Sequence, residues 1–75
     1  MIEARCIDDV DPWGNKKLPI IKGHMYKVKH IDMGQSYTSV SLDGIKGTIN
    51  SVCLRFYENG KPINIYNDKR FNPYL

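Results

Sequence analysis

Tyr37-Thr38-Ser39-Val40-Ser41-Leu42, followed at once by Asp43-Gly44, decides the fold class. Thr38, Val40 and Leu42 fall on one side of an extended chain and Tyr37, Ser39 and Ser41 on the other, the period of two that a half-buried strand requires. Asp43-Gly44 is a hairpin signal, because both central positions of a type I′ turn need positive φ, and it predicts that Ile45 to Ile49 pairs back on the preceding strand. Working towards the N-terminus, Met33-Gly34-Gln35-Ser36 reads as a turn and His24 to Ile31 as another strand. Unbroken alternation there puts Tyr26 and Val28 on a face with His24 and His30 and turns Lys27 and Lys29 to solvent. Ile2 to Asp8 alternates more loosely, with Ile2, Ala4 and Cys6 opposite Glu3 and Arg5. Asp8 to Asn15 holds a proline, a glycine and side chains that bond their own backbone, so a long loop precedes Leu18.

Towards the C-terminus, Asn50-Ser51-Val52-Cys53-Leu54 has no clean period and predicts a short helical turn, with Asn50 or Ser51 supplying the capping oxygen. Asn59-Gly60 stands between apolar flanks, so Leu54 to Tyr57 should fold back on Ile63 to Tyr66, and Pro62 marks the second of these as an edge strand. The tail from Asn67 to Leu75, with Phe71, Pro73 and Tyr74, either packs on the domain or awaits a partner. No long amphipathic helix, internal repeat or low-complexity segment is present.

A chain of 75 residues can close one hydrophobic core, and 41% apolar with 25% charged residues is a globular composition. The expectation is one domain over residues 1–75, with a core barrel at about 2–56 and a hairpin and tail extension at 57–75. Five or six short strands, tight turns and one helical turn predict a mainly β fold, a small SH3-like barrel, with an OB-fold as the rival. The opening residues lack a secretion-signal layout and no apolar run reaches membrane-spanning length, which predicts a cytoplasmic protein without membrane contact. In a reducing compartment Cys6 and Cys53 are expected as buried thiols, with a disulfide as the alternative.

Cys6-Ile7-Asp8 before a variable loop, Ile21-Lys22-Gly23-His24-Met25-Tyr26-Lys27-Val28, and Gly47-Thr48-Ile49 followed by Arg55-Phe56 resemble the opening strand, the glycine-turn-then-strand and the Arg-Phe ending of a family. These are the small SH3-like proteins encoded by phages and prophages of Gram-positive bacteria, and the resemblance spans residues 6 to 56. It implies an SH3-like fold and a phage or mobile-element setting, for which the expected location is the cytoplasm of the host bacterial cell, and it implies no activity.

Chemistry-bearing residues are sparse. His24 and His30 have no elbow serine or orienting third group near them in sequence, and Cys6, Cys53, His24 and His30 lack the close ligand pairs of a zinc site. Asp8, Asp9 and Asp11 lack the glycine and glutamate of a calcium loop and read as solvated loop acids. No catalytic residue, metal site or cofactor is expected. Trp13, in the early loop, is either a lid on the barrel end or an exposed anchor for a partner. Net charge is +3, with Lys16, Lys17, Lys22, Lys27 and Lys29 following an acidic start and no acid between Asp11 and Asp32.

The reading is a non-enzymatic protein-interaction module that acts on a host protein, with Trp13, Lys16, Lys17 and Tyr37 as the contact surface. The segment from Tyr57 to Tyr74 is a second candidate surface. The alternative is a nucleic-acid-binding barrel that stacks bases on Tyr37 beside Lys27 and Lys29. Proline-motif recognition is disfavoured, because the chain lacks the tyrosine row and paired tryptophans of eukaryotic SH3 domains. The protein is expected as a monomer or as a homodimer joined through an edge strand.

Overall fold

The alternation at Thr38–Leu42 is realised as written: Thr38, Val40 and Leu42 are buried while Ser39 and Ser41 lie nearer solvent. A computed structural model describes residues 1–75. It contains strands β1 (Ile2–Cys6), β2 (Met25–Met33), β3 (Thr38–Leu42), β4 (Ile49–Asn50), β5 (Leu54–Glu58) and β6 (Lys61–Ile63), with 3-10 turns at Ser51–Cys53 and Ile65–Asn67. All pairings are antiparallel and the strand order is β4-β3-β2-β1-β5-β6, so the mainly β expectation holds. The ladder does not close into a barrel, since β4 and β6 end it on opposite sides and pair only inwards. Both ends are short, and β6 contains Pro62, which has no N–H to offer a further strand. No helix is long and apolar enough to cross a membrane.

β2 serves both halves of the sheet, and this explains where simple alternation fails. Its first part pairs with β1, Tyr26 opposite Ala4, and its second with β3, Ile31 opposite Val40, with a register shift between Val28 and His30. An extra residue on one strand bends it and inverts the facing pattern beyond. Tyr26 and Val28 face the core before the shift, and Ile31 and Met33 after it. His30 is therefore exposed on the outer face with Lys27 and Lys29, not beside Tyr26 and Val28, and His24 precedes the strand in an exposed turn.

The Asp43-Gly44 hairpin is corrected in the same way. Only Gly44 has positive φ, at 81°, and the N–H of Asp43 donates to the carbonyl of Lys27 at 2.9 Å, holding the turn against β2. The chain then needs a second positive-φ glycine, Gly47 at 82°, before it pairs again, and the return strand is only Ile49–Asn50. Asn59-Gly60 does form the expected tight turn, with φ of 52° and 81° at its two residues. Its return strand stops at Ile63, because the side chain of Asn64 accepts from the N–H of Tyr66 and caps the second 3-10 turn. Tyr66 is thus taken out of the predicted strand. The first 3-10 turn matches the sequence reading, with the Asn50 side chain accepting from the N–H of Val52.

Ala4 and Cys6 from β1, Val40 and Leu42 from β3, Ile49, Cys53, Leu54 and Phe56 form the core with Ile20 and Ile65. Ile20 matters because it anchors the return of the long early loop, and Ile65 because it ties in the chain beyond β6. Cys6 and Cys53 are buried free thiols. Burial pushes both thiols above their ordinary value, and the hydrogen bond from Cys6 Sγ to the carbonyl of Asp8 opposes this only in part.

Candidate functional site

Four backbone features meet at one side of the sheet, each built by local sequence. The early loop is itself a small hairpin: Val10 bridges Lys17, and the N–H of Asp11 donates to the carbonyl of Lys16 at 2.7 Å. The Asp11 carboxylate accepts from the N–H of Trp13 at 2.9 Å, and the Asp8 carboxylate from Val10 at 3.1 Å. These loop acids therefore shape the turn that presents Trp13 at its tip. The second feature is the β2–β3 turn, closed by the N–H of Gly34 donating to the carbonyl of Tyr37 at 3.1 Å. A Cβ at Gly34 would lie 3.0 Å from that same oxygen, so the turn favours glycine. The third is the first 3-10 turn, which buries Ser51 and Cys53 and leaves Val52 outside. The fourth is the C-terminal segment, where the hydroxyls of Tyr66 and Ser51 hydrogen-bond and Asn72 Nδ2 donates to the carbonyl of Tyr66 at 2.7 Å.

Between them lies a cleft of about 540 Å³ whose aromatic lining is Trp13, Tyr37, Tyr66 and Tyr74, with Pro12, Met33 and Val52 between the rings. Trp13 is 77% exposed, which excludes the lid alternative. The two surfaces that the sequence suggests separately, the early loop with Tyr37 and the segment up to Tyr74, are one surface in the fold. Lys16 and Lys17 are exposed on the returning arm of the early hairpin and do not line the cleft.

Lys27 and Lys29 sit on the outer face of β2, with Lys27 opposite Glu3 of β1. Tyr37 lies past the other end of that strand, next to Gly34, and from Lys29 to Gly34 the chain runs about 16 Å at strand spacing. Neither lysine lines the cleft. Met33, Asn50, Ser51 and Val52 join the cleft without having been singled out in the sequence as contacts. The Asn50 cap is the one local signal that could have marked Val52, because a capped 3-10 turn of three residues must turn one of them outwards.

The family model described as bacteriophage T4 protein Y07B matches residues 11–75. The chain belongs to this family. It is of phage origin, and the part of the Y07B-family chain that matches includes every residue lining the cleft. Comparison with curated proteins and with solved structures finds no match.

In this Y07B-family chain Arg70 helps to fasten the tail, and with it the wall carrying Asn72 and Tyr74. Two of its nitrogens donate to the Glu58 carboxylate at 2.8 Å each, and Nε and Nη2 donate to Asp68 at 3.1 and 2.7 Å. The Phe71 and Asn72 N–H groups then donate to the carbonyl of Asp68, and Phe71 packs on the core. The hydrogen bonds from Arg70 hold both carboxyls below their ordinary values and raise the guanidinium further. Depressed carboxyl values mean an anchor that is complete above the ordinary carboxylate range and lost as pH falls through the lowered folded values. Acidification is expected to release residues 68–75 before the sheet unfolds, seen as shifts of the Asn72 and Tyr74 amide resonances while those of Val40 stay. Arg70→Met should give the same selective change at neutral pH. If the Val40 resonances move together with the tail in either experiment, the tail is not a separately anchored unit.

Proposed function

We propose that this phage protein is a non-enzymatic interaction module that holds a segment of a host bacterial protein in the aromatic cleft. The observation that carries the reading is the make-up of the lining: exposed rings of Trp13, Tyr37, Tyr66 and Tyr74 with no lysine or arginine among them. Rings exposed on a rigid frame are the usual anchors of protein contacts, since they bring large apolar area at little entropic cost. Single-stranded nucleic acid also stacks on rings, but it needs cations along its backbone, and Lys27 and Lys29 lie away from these rings. The meander with a bent β2 shared by both halves, and a 3-10 turn leading into β5, supports an SH3-like reading of the fold.

The test is capture from bacterial lysate with tagged protein, with and without nuclease, comparing the wild type with Tyr37→Ala and with the double variant Lys27→Glu, Lys29→Glu. The expected result is a discrete protein that survives nuclease, is lost with Tyr37→Ala and is retained by the lysine variant. Recovery of nucleic acid, with loss of all partners after nuclease and in the lysine variant, would sink the reading.

A further inference from the structure

Tyr37 is the point where three depressions meet. The aromatic cleft contains no ionisable acid or base apart from its tyrosines, whereas the two smaller neighbours each contain one carboxylate and no cation. One, of about 450 Å³, is lined by Asp11 beside Trp13 and Tyr37, and the other, of about 240 Å³, by Asp32 beside Tyr37 and Ser39. All ion pairs of the molecule are made by Arg70 with Glu58 and Asp68, so Asp11 and Asp32 have no cationic partner. Asp11 uses one oxygen for the N–H of Trp13 and leaves the other open. Although the chain as a whole is positive, the charge at this surface is negative.

We infer that the segment held in the cleft is extended and cationic, with apolar side chains against Val52, Tyr66 and Tyr74 and a lysine or arginine seated at Tyr37 between Asp11 and Asp32. This rests on the interaction-module reading and adds the chemistry of the partner. A guanidinium suits the position best, because it lies flat over an aromatic face while its edge donates to a carboxylate. An acidic segment would meet two unpaired carboxylates with nothing to offset them, which is the repulsive element that makes such a surface selective. An eight-residue extended segment, about 26 Å long, spans most of a molecule whose longest axis is 31 Å.

Trp13 is the only tryptophan, so its fluorescence reports the cleft directly. The probes are tryptophan-free eight-residue synthetic peptides, randomised except for a central arginine, glutamine or glutamate, with the best of each series titrated individually. Arginine peptides are expected to bind about 3- to 5-fold more tightly than glutamine peptides, the size of effect for solvent-exposed ion pairs, and glutamate peptides more weakly than either. The double variant Asp11→Asn, Asp32→Asn should abolish the arginine preference and keep glutamine-peptide binding. Equal binding of the arginine and glutamate series, or a preference that survives in the double variant, would overturn the inference. So would failure of every peptide to bind while lysate capture still depends on Tyr37, an outcome that leaves the interaction reading standing. If capture also fails, both fall.

Discussion

Leu42→Ala is expected to remove about 2–5 kcal/mol of stability. Leu42 is the largest of the fully buried side chains, at 1% exposure, and it sits on β3 opposite Val28 where β2 begins to bend. Truncating it loses the transfer free energy of the removed methyl and methylene groups and leaves a cavity that the surrounding core closes only in part. A domain of 75 residues has roughly 4–11 kcal/mol in total, so the loss is a large fraction of what exists. With a urea slope near 1 kcal/mol/M for a chain this small, the unfolding midpoint should fall by about 2 M or more. Leu42→Met, which keeps the volume, should cost under about 1.5 kcal/mol. A loss below about 1 kcal/mol for the alanine variant would mean that Leu42 faces solvent and that the register of β3 is displaced by one residue.

The same strand shows why much of the fold is legible in the sequence. Where one face is buried and the other wet, a period of two leaves a single consistent register, and Thr38, Val40 and Leu42 meet that condition. Asn59-Gly60 and the Asn50 cap are equally local, because positive φ and a side chain that bonds its own backbone need no distant partner. What is not legible depends on contacts far apart in sequence. The shift between Val28 and His30 exists because β2 must pair with β1 at one end and β3 at the other, and no residue in Met25–Met33 announces it. Asp43-Gly44 also carries a strong turn signal, yet the bond from Asp43 to Lys27 and the second positive-φ glycine, Gly47, replace the tight hairpin.

The site divides along the same line. Trp13 and Tyr37 can be picked out as large aromatics beside turn residues, but the lysines near them in sequence cannot be assigned to a face without the fold. Lys16 and Lys17 follow Trp13 closely and still miss the cleft, since the early hairpin directs its tip and its returning arm differently. Tyr66 and Tyr74 reach the cleft only because Asn64 caps a turn and Arg70 fastens the tail to Glu58. Neither event has a periodic signature.

Trp13→Ala is the variant expected to separate function from folding most sharply. Trp13 is 77% exposed and makes no side-chain hydrogen bond, while its own N–H is held by Asp11, so the hairpin tip keeps its shape when the ring is removed. Stability should stay within about 0.5 kcal/mol of wild type. Affinity for the captured partner should fall by about 30-fold or more, the loss of 2 kcal/mol or above that marks a central aromatic anchor. Trp13→Phe should recover part of it, because a smaller ring still offers an apolar face at the edge of the cleft. Unchanged affinity with unchanged stability would move the contact surface off the early hairpin. A fall in affinity that tracks a fall in the urea midpoint would instead make Trp13 a structural residue, contrary to its exposure.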